Sequence, residues 1–466
     1  MEDKNKMLEE FNQYIKGKKV ALIGIGVSNL PLLDYLYNKG SKVTVFDKKQ
    51  IEDISKDVMD KITFYNMEHS FGENYLERLD GFDLIFRSPS CRPDTPEIER
   101  EVEKGAVLTS EIELLLKMTP THVIGVTGSQ GKTTTTTLIY EVLTETGFHC
   151  YLGGNIGVPL FTKLGEMTKD DIIILELSSF QLMDMEVSPD ISVITNIAPN
   201  HLDIHKSFEE YIDAKKNIFK FQNENGLLIL NYDDEVTRSF AKEAKGNVRF
   251  FSRVNKLDQG IIIEEGIIKE INNRVRRHIL NTGDMQLRGV HNQENAAAVI
   301  AVTLDLVDSN IYKDIICDFK GVEHRLEFIR ELDEVKWYND SIASNPTRTV
   351  AGLNAFSEEI VLIAGGYDRN SDYMPLAKPI VDKVKTLILI GPTKDKIYHA
   401  VEQELLEQGK TLDIYVCDKF EDTVKLARKF AKPGQIVLLS PASASFDLFN
   451  NFEERGKLFK DLVNNL

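Results

Sequence analysis

The sequence predicts an α/β protein of about three domains built on mostly parallel sheets. Short apolar runs of strand length alternate with helix-length stretches along the chain. One of those runs leads through a glycine-rich turn, Gly125-Val-Thr-Gly-Ser-Gln-Gly-Lys-Thr133, into a helical stretch. At 466 residues, the chain is also too long for one hydrophobic core.

The first block opens with Lys19-Val-Ala-Leu-Ile23, a helix-like stretch over 30–39, and Lys42-Val-Thr-Val-Phe46. A third run, Asp83-Leu-Ile-Phe86, precedes Arg87-Ser-Pro-Ser90. The second block starts near Glu111 and contains His122-Val-Ile-Gly-Val126, the glycine-rich turn, and a helix over 133–146 ended by Gly147. Asp171-Ile-Ile-Ile-Leu175 and Ile191-Ser-Val-Ile-Thr195 supply further strands, and the polar stretch 247–281 reads as short strands and turns. A third block runs from about Val322, with apolar runs at Ile360-Val-Leu-Ile363, Thr386-Leu-Ile-Leu-Ile390, Asp413-Ile-Tyr-Val416 and Gln435-Ile-Val-Leu-Leu439. The expected domains are 1–111, 112–321 and 322–466.

Acidic residues outnumber basic ones, 73 to 56, for a net charge of −17. That balance argues against non-specific nucleic-acid binding, and anionic ligands must meet positive charge focused locally. No apolar run is long enough to span a bilayer, and Met1-Glu-Asp-Lys-Asn5 lacks the apolar core of a secretion signal. A cytoplasmic protein with no membrane insertion is expected. The four cysteines have no CxxC spacing and read as reduced thiols.

Strand, glycine turn, Lys, hydroxyl and helix form the arrangement that wraps a nucleotide polyphosphate. Glycines let backbone amides converge on phosphate oxygens, and the helix N-terminus adds partial positive charge. Lys132 supplies a point charge and the Thr133 hydroxyl a magnesium ligand. The pattern is the shorter form, since Val126 stands where the general one has glycine. It predicts binding of ATP or GTP. Gly24-Ile-Gly26 also ends a strand, but Asn29 replaces the third glycine of a dinucleotide fingerprint, so a phosphate turn for another nucleotide is the better reading. Asp47 closes the next strand, where a carboxylate meets a hydroxyl or an imide N–H. Glu176, at the exit of an apolar run, is placed to hold magnesium or is an ordinary strand-end charge. His201 and Lys215, taken singly, read as a structural histidine and a surface helix lysine.

Taken together these residues resemble the Mur ligases. Thr127-Gly-Ser-Gln-Gly-Lys-Thr133, Gly153-Gly-Asn-Ile-Gly157, Glu176-Leu-Ser-Ser-Phe-Gln-Leu182, Asn196…His201-Leu-Asp203 and Ala214-Lys215 occur in the family's order. Gly289-Val-His-Asn-Gln-Glu-Asn295, Gly321-Val-Glu-His-Arg325, Asn339-Asp-Ser341 and Gly365-Gly366 continue it. The C-terminal run Leu439-Ser-Pro-Ala-Ser-Ala-Ser-Phe-Asp447…Asn451-Phe-Glu-Glu-Arg-Gly456 is similar to the members that add D-glutamate.

The resemblance implies a Rossmann-like N-terminal domain for a UDP substrate, a central P-loop domain for ATP, and a Rossmann-like C-terminal domain for the amino acid. It implies an ATP-dependent amide ligase of peptidoglycan precursor synthesis, with UDP-N-acetylmuramoyl-L-alanine and D-glutamate as substrates, and a monomer. By the family's pattern Gly128, Ser129, Gln130, Gly131, Lys132, Thr133, Thr134, Asn295, Arg325 and Asp340 bind ATP. Thr133, Glu176, His201 and a carbamylated Lys215 serve Mg2+, with Lys132, Glu176, His201 and Lys215 the catalytic set. Val27, Ser28, Asp47, Asn155 and His201 face the UDP substrate, and Arg369, Ser445 and Phe452 the D-glutamate. The last block must swing in for catalysis, because ATP ligands come from two blocks.

The chain departs from the commoner pattern at Ile342 (usually Lys), Arg369 (usually Lys) and Ser90 (often Gly). Arg grips a carboxylate bidentately, so the Arg369 role is expected to survive with altered geometry. Another Mur-type or folylpolyglutamate-type ligase is the alternative in the same class. The uridine-like first block argues against folate, and the missing Asp-Asn-Pro-Arg argues against the diaminopimelate-adding relative. A nucleotide switch or NAD module is the alternative from another class, and it would gain little from Glu176, His201 and Lys215.

Overall fold

The computed structural model describes residues 2–26, 28–200, 204–273, 275–369 and 371–466, with 2–5 as backbone. Three sheets organise the chain. The first is wholly parallel, in the order Glu68–Phe71, Lys42–Asp47, Lys19–Ile23, Leu84–Arg87, Val107–Thr109. The central nine-stranded sheet runs Val275–Asn281, Ile267–Asn272, Gln259–Glu264, Asn247–Ser252, Leu227–Asn231, Ile191–Ile194, His122–Thr127, Ile172–Glu176, Cys150–Gly154. The last has the order Glu327–Leu332, Val335–Asn339, Ile436–Leu439, Ile360–Ala364, Val384–Ile390, Asp413–Cys417, parallel except for its first pair.

The strand sequences explain the parallel arrangement. Ile172–Glu176 and Ile360–Ala364 are buried at every position, as expected of strands covered on both faces by helices. The helix Lys132–Glu145 turns Leu138, Ile139, Val142 and Leu143 inward, and the alanine-rich helix Val290–Thr303 is buried along most of its length. In the central sheet the strand His122–Thr127 lies between Ile172–Glu176 and Ile191–Ile194. Its C-terminal end is therefore a point where strand order reverses, the usual crevice for a ligand in such sheets.

The stretch 247–281 resolves into one parallel strand and a three-stranded antiparallel extension. Glu265 and Gly266, at φ 53° and 72°, form the two-residue turn that joins two of its strands, the twist-compatible hairpin geometry. A helix over Glu2–Tyr14, absent from the sequence reading, packs Phe11 edge-on against Phe161 at 5.8 Å. Tyr35 stacks edge-on against the same ring at 5.2 Å and donates its hydroxyl proton to Asn12 at 2.5 Å.

The chain divides into two compact units. One comprises Met1–Asp284 with His291–Cys317 and holds the first two sheets; the other comprises Met285–Val290 with Asp318–Leu466. All four cysteines are free, and among the described residues no helix is long and apolar enough to cross a membrane.

Candidate active site

The turn after His122–Thr127 is set by two glycines in conformations other residues avoid. Gly128 has φ 146° and Gly131, the helix N-cap, φ 81°. A Cβ on Gly128 would run into Thr195 Oγ1, and one on Gly131 into Asn295 Oδ1. The loop's polar groups are largely bound within the protein. Ser129 N–H donates to Asn196 O at 2.9 Å, and Gln130 N–H to Asn196 Oδ1 at 2.9 Å. Asn196 Nδ2 returns a bond to Gln130 O at 3.1 Å, and Thr195 Oγ1 donates to the same carbonyl at 2.5 Å. The Ser129 hydroxyl donates to Ala198 O at 2.9 Å, accepts from Ala198 N–H at 2.8 Å and meets Tyr211 OH at 2.8 Å. Ser129 and Gln130 thus shape the loop, and the helix Lys132–Glu145 begins directly after it, with the partial positive charge of its N-terminus at the loop. Thr133 is half-buried at the rim, while Thr134 is buried beneath it.

Lys132 Nζ donates to Gly128 O at 2.8 Å and Ser129 O at 3.2 Å. Lys215, on the helix Phe208–Lys220, reaches the same carbonyl from the other side, at 3.0 Å, and Thr127 Oγ1 at 3.1 Å. It is 1% exposed, and its nitrogen sits 4.8 Å over the Tyr211 ring. Burial first, and repulsion from Lys132 second, hold its pKa well below the usual lysine value, while Glu176 partly opposes them. Lys215 is therefore a buried group whose charged form is disfavoured, unlike the surface lysine that its helix position alone suggested.

Glu176 ends its strand 2% exposed. Asn155 Nδ2 donates to Oε1 at 2.8 Å, whereas Oε2 is buried with no hydrogen-bond partner among the described residues. An unpaired buried carboxylate oxygen is costly unless a cation completes it. With the Thr133 hydroxyl it offers hard oxygen donors, which suit magnesium. Among the described residues, no three His, Cys, Asp or Glu side chains gather as a metal cluster. His201 and Val27 lie outside the described residues.

In the first sheet, Asp47 accepts from Ile25 N–H at 2.8 Å and from Lys49 N–H at 2.9 Å. Asn29, at the place of the third glycine, donates its amide to Ile23 O and Gly24 O, both at 3.0 Å. Ser28 lies in the same turn, and Ser90 shares a 2.8 Å hydrogen bond with Ser88 beside Gly24.

The second unit gathers its own set. Asp340 accepts from Ser440 Oγ at 2.7 Å and Leu326 N–H at 3.3 Å, next to Arg325. Burial pushes its carboxyl up to about 7, against the opposing Ser440 bond. Gly365 and Gly366, at φ 109° and 150°, turn the chain toward Arg369, whose guanidinium lies 5.2 Å from the Phe446 ring centroid. Ser445 is buried, and Phe452 opens the helix Phe452–Asn464. Arg455, missed as a separate residue in the sequence, ties the two turns together. It donates to Ser341 Oγ at 3.0 Å and to the Ser443 and Ala444 carbonyls, both at 3.1 Å. Asn196 was likewise seen only as part of a motif, since an amide that bonds backbone leaves no spacing signal.

The chain belongs to the Mur ligase family. The Mur ligase MurD-like N-terminal domain matches residues 18–110, the Mur ligase middle domain 126–303, and the glutamate ligase domain 324–443. Within that family it is 48% identical, over 99% of both chains, to UDP-N-acetylmuramoylalanine–D-glutamate ligase of Acetivibrio thermocellus. The protein of the same name from Ruminiclostridium cellulolyticum is 49% identical over 99% of this chain and all of that one. The fold resembles UDP-N-acetylmuramate-alanine ligase from Thermotoga maritima, with TM-score 0.58 and 19% identity over 96% of this chain and 99% of that one. A MurF ligase from the same organism, in complex with ADP, gives TM-score 0.54 and 18% identity over 98% and 97% of the two chains. The architecture is the three-domain, mostly parallel α/β arrangement of the family.

Proposed function

We propose that this chain is an ATP-dependent amide ligase, ADP-forming, that joins D-glutamate to UDP-N-acetylmuramoyl-L-alanine in peptidoglycan precursor synthesis. The observation that carries the reading is the meeting, at the C-terminal ends of two neighbouring strands, of a glycine-rich loop, a carboxylate with an unpartnered buried oxygen, and a buried lysine whose charged form is disfavoured. The curated relatives' shared name supplies the substrates.

A carboxylate does not acylate an amine directly, because its leaving group would be oxide. The substrate carboxylate oxygen attacks the γ-phosphorus of ATP, releasing ADP and leaving an acyl phosphate. The D-glutamate amine then attacks the acyl carbon, expels inorganic phosphate and gives up a proton. Both steps crowd anions, so cationic groups fixed in advance lower the barrier. In this reading Lys132 and the 128–134 loop hold the phosphates, with Asn295, Arg325 and Asp340 completing the ATP set. The residues suited to Mg2+ are Thr133, Glu176 and Lys215 as its carbamate, with His201. The chemistry that bound magnesium supplies is screening of the phosphate and carboxylate oxygens. An amine with a free lone pair adds CO2 and loses a proton, which replaces a repelling ammonium with an oxygen ligand. Ser28, Asp47 and Asn155 with Val27 take the UDP substrate, and Arg369, Ser445 and Phe452 the D-glutamate. The domains 1–111, 112–321 and 322–466 would then serve the UDP substrate, ATP and the amino acid, in a cytoplasmic monomer.

ADP release measured with UDP-N-acetylmuramoyl-L-alanine and a panel of amino acids tests the reading. D-glutamate alone should support turnover; equal rates with other amino acids, or none with D-glutamate, would reject it. Lys215→Ala should be inactive yet folded, and millimolar acetate or formate should restore part of its activity by standing in for the carbamate. Wild-type activity in that variant would remove Lys215 from the site.

A further inference from the structure

The segment leaving Leu84–Arg87 is riveted to two helices of the central sheet by two arginines. Arg87 is 2% exposed. Its Nε donates to Asp184 Oδ2 at 2.9 Å, and Nη2 to Asp184 Oδ1 and, at 3.0 Å, to Phe180 O. Nη1 donates to Ser88 O at 3.2 Å and Cys91 O at 2.6 Å. All five N–H groups of a guanidinium are thereby used. Arg92 repeats the pattern. It clasps Asp94 through Nε at 2.7 Å and Nη2 at 2.9 Å, and Glu210 through Nη2 at 2.6 Å and Nη1 at 3.1 Å. Its remaining N–H reaches Ile204 O at 2.8 Å.

These contacts close a ring. Phe180 belongs to the short helix Ser179–Leu182, which follows Glu176, and Asp184 lies just beyond it. Glu210 is on the helix that carries Lys215, one to two turns earlier. His205 joins the two sides, with Nε2 2.9 Å from Ser179 Oγ and Nδ1 3.4 Å from Glu210 Oε2. At the other end, Ser88 packs against Gly24 of the first glycine turn, where a Cβ would collide with its hydroxyl.

We infer that Arg87 and Arg92 are positioning residues that set the UDP-substrate turn at a fixed distance from Glu176 and Lys215. The inference rests on the function proposed above. A buried ion pair adds little net stability over apolar residues of the same volume, so stability alone is a weak reason for two saturated guanidinium groups. What a planar fork bonded to two elements does supply is direction. A substrate anchored by its nucleotide end must bring a distant carboxylate within about 3–3.5 Å of the γ-phosphorus, and an error near 1 Å costs about a hundredfold in rate.

The test replaces the ion pair without leaving a buried charge. Arg87→Met with Asp184→Leu should keep a melting temperature close to that of the wild type and bind a fluorescent ATP analogue within about twofold of it. It should raise the KM for UDP-N-acetylmuramoyl-L-alanine or lower kcat by about tenfold or more. A folded double variant with all three quantities within about twofold of wild type overturns the inference. Should that variant fail to fold, Arg92→Met, at a partly exposed site, carries the same expectation and the same refutation. Inactivity of the wild-type enzyme with these substrates would instead reject the proposed function.

Discussion

The turn at Gly24-Ile-Gly26 and the loop at 128–131 both leave a strand of a parallel sheet and enter a helix, but they are held by different chemistry. In the first, a carboxylate does the holding: Asp47 binds the Ile25 amide, and Asn29 fills the place of a third glycine by bonding two carbonyls. In the second, a neutral amide does it: Asn196 binds two loop amides and one carbonyl, and Lys132 lies against the loop. A carboxylate at the lip suits a ligand group that donates hydrogen bonds, such as a hydroxyl or an imide N–H. A loop braced by a neutral side chain, with a lysine and a helix N-terminus, suits a polyanion. Glycine count alone does not separate the two; the group that braces each turn does.

Substitutions can break the two turns separately. Gly131→Ala has the largest expected effect, because its Cβ meets Asn295 Oδ1 at a positive φ. It should cut kcat/KM for ATP about a hundredfold. A Cβ at Gly26 meets nothing within 4 Å, so Gly26→Ala should leave thermal stability unchanged. Equal losses in the two variants, by kinetics and thermal melts, would erase the distinction. Arg369→Ala acts on neither turn and should raise the D-glutamate KM about tenfold, with a smaller change in that for ATP. An unchanged glutamate KM would remove Arg369 from the amino-acid site. Asn196→Ala frees the Gln130 amide and removes one donor to the Gln130 carbonyl, without touching the first turn. It should raise the ATP KM about threefold to tenfold and leave that for the UDP substrate alone.

The smallest expected effect concerns Glu111, which joins the two sheets of the first unit. Its Oε1 accepts from Leu160 N–H at 2.9 Å and Phe161 N–H at 2.8 Å, and burial pushes its carboxyl up to about 7. The folded state therefore holds this proton more tightly than the unfolded one, for which 4.5 is the reference. The stability it contributes is complete below that value and lost as pH rises through about 7. Glu111→Gln keeps both acceptor bonds and does not ionise, so its melting temperature relative to the wild type should be a few degrees higher at pH 8 than at pH 5. Parallel pH profiles for the two proteins would contradict this.

Much of the fold was legible because buried parallel strands print as apolar runs. Ile172–Glu176 and Ile360–Ala364 read directly from isoleucine, valine and leucine. The antiparallel extension was not, since its edge strand Val275–Asn281 is exposed over its first four positions and so carries no apolar period. The helix Glu2–Tyr14 was missed because it is mostly polar and rests on a few contacts such as Phe11 with Phe161. The phosphate loop, Glu176 and Lys215 carried their chemistry in residue type and order. Arg87, Asn196 and Arg455 did not, because their partners are backbone groups or residues far along the chain.

The central claim is that the substrate carboxylate is activated by phosphorylation. Supplying UDP-N-acetylmuramoyl-L-alanine labelled with oxygen-18 in that carboxylate, with ATP and D-glutamate, and weighing the inorganic phosphate released tests it most directly. The account predicts one labelled oxygen in each phosphate formed per amide bond. Unlabelled phosphate accompanying normal amide formation would contradict it.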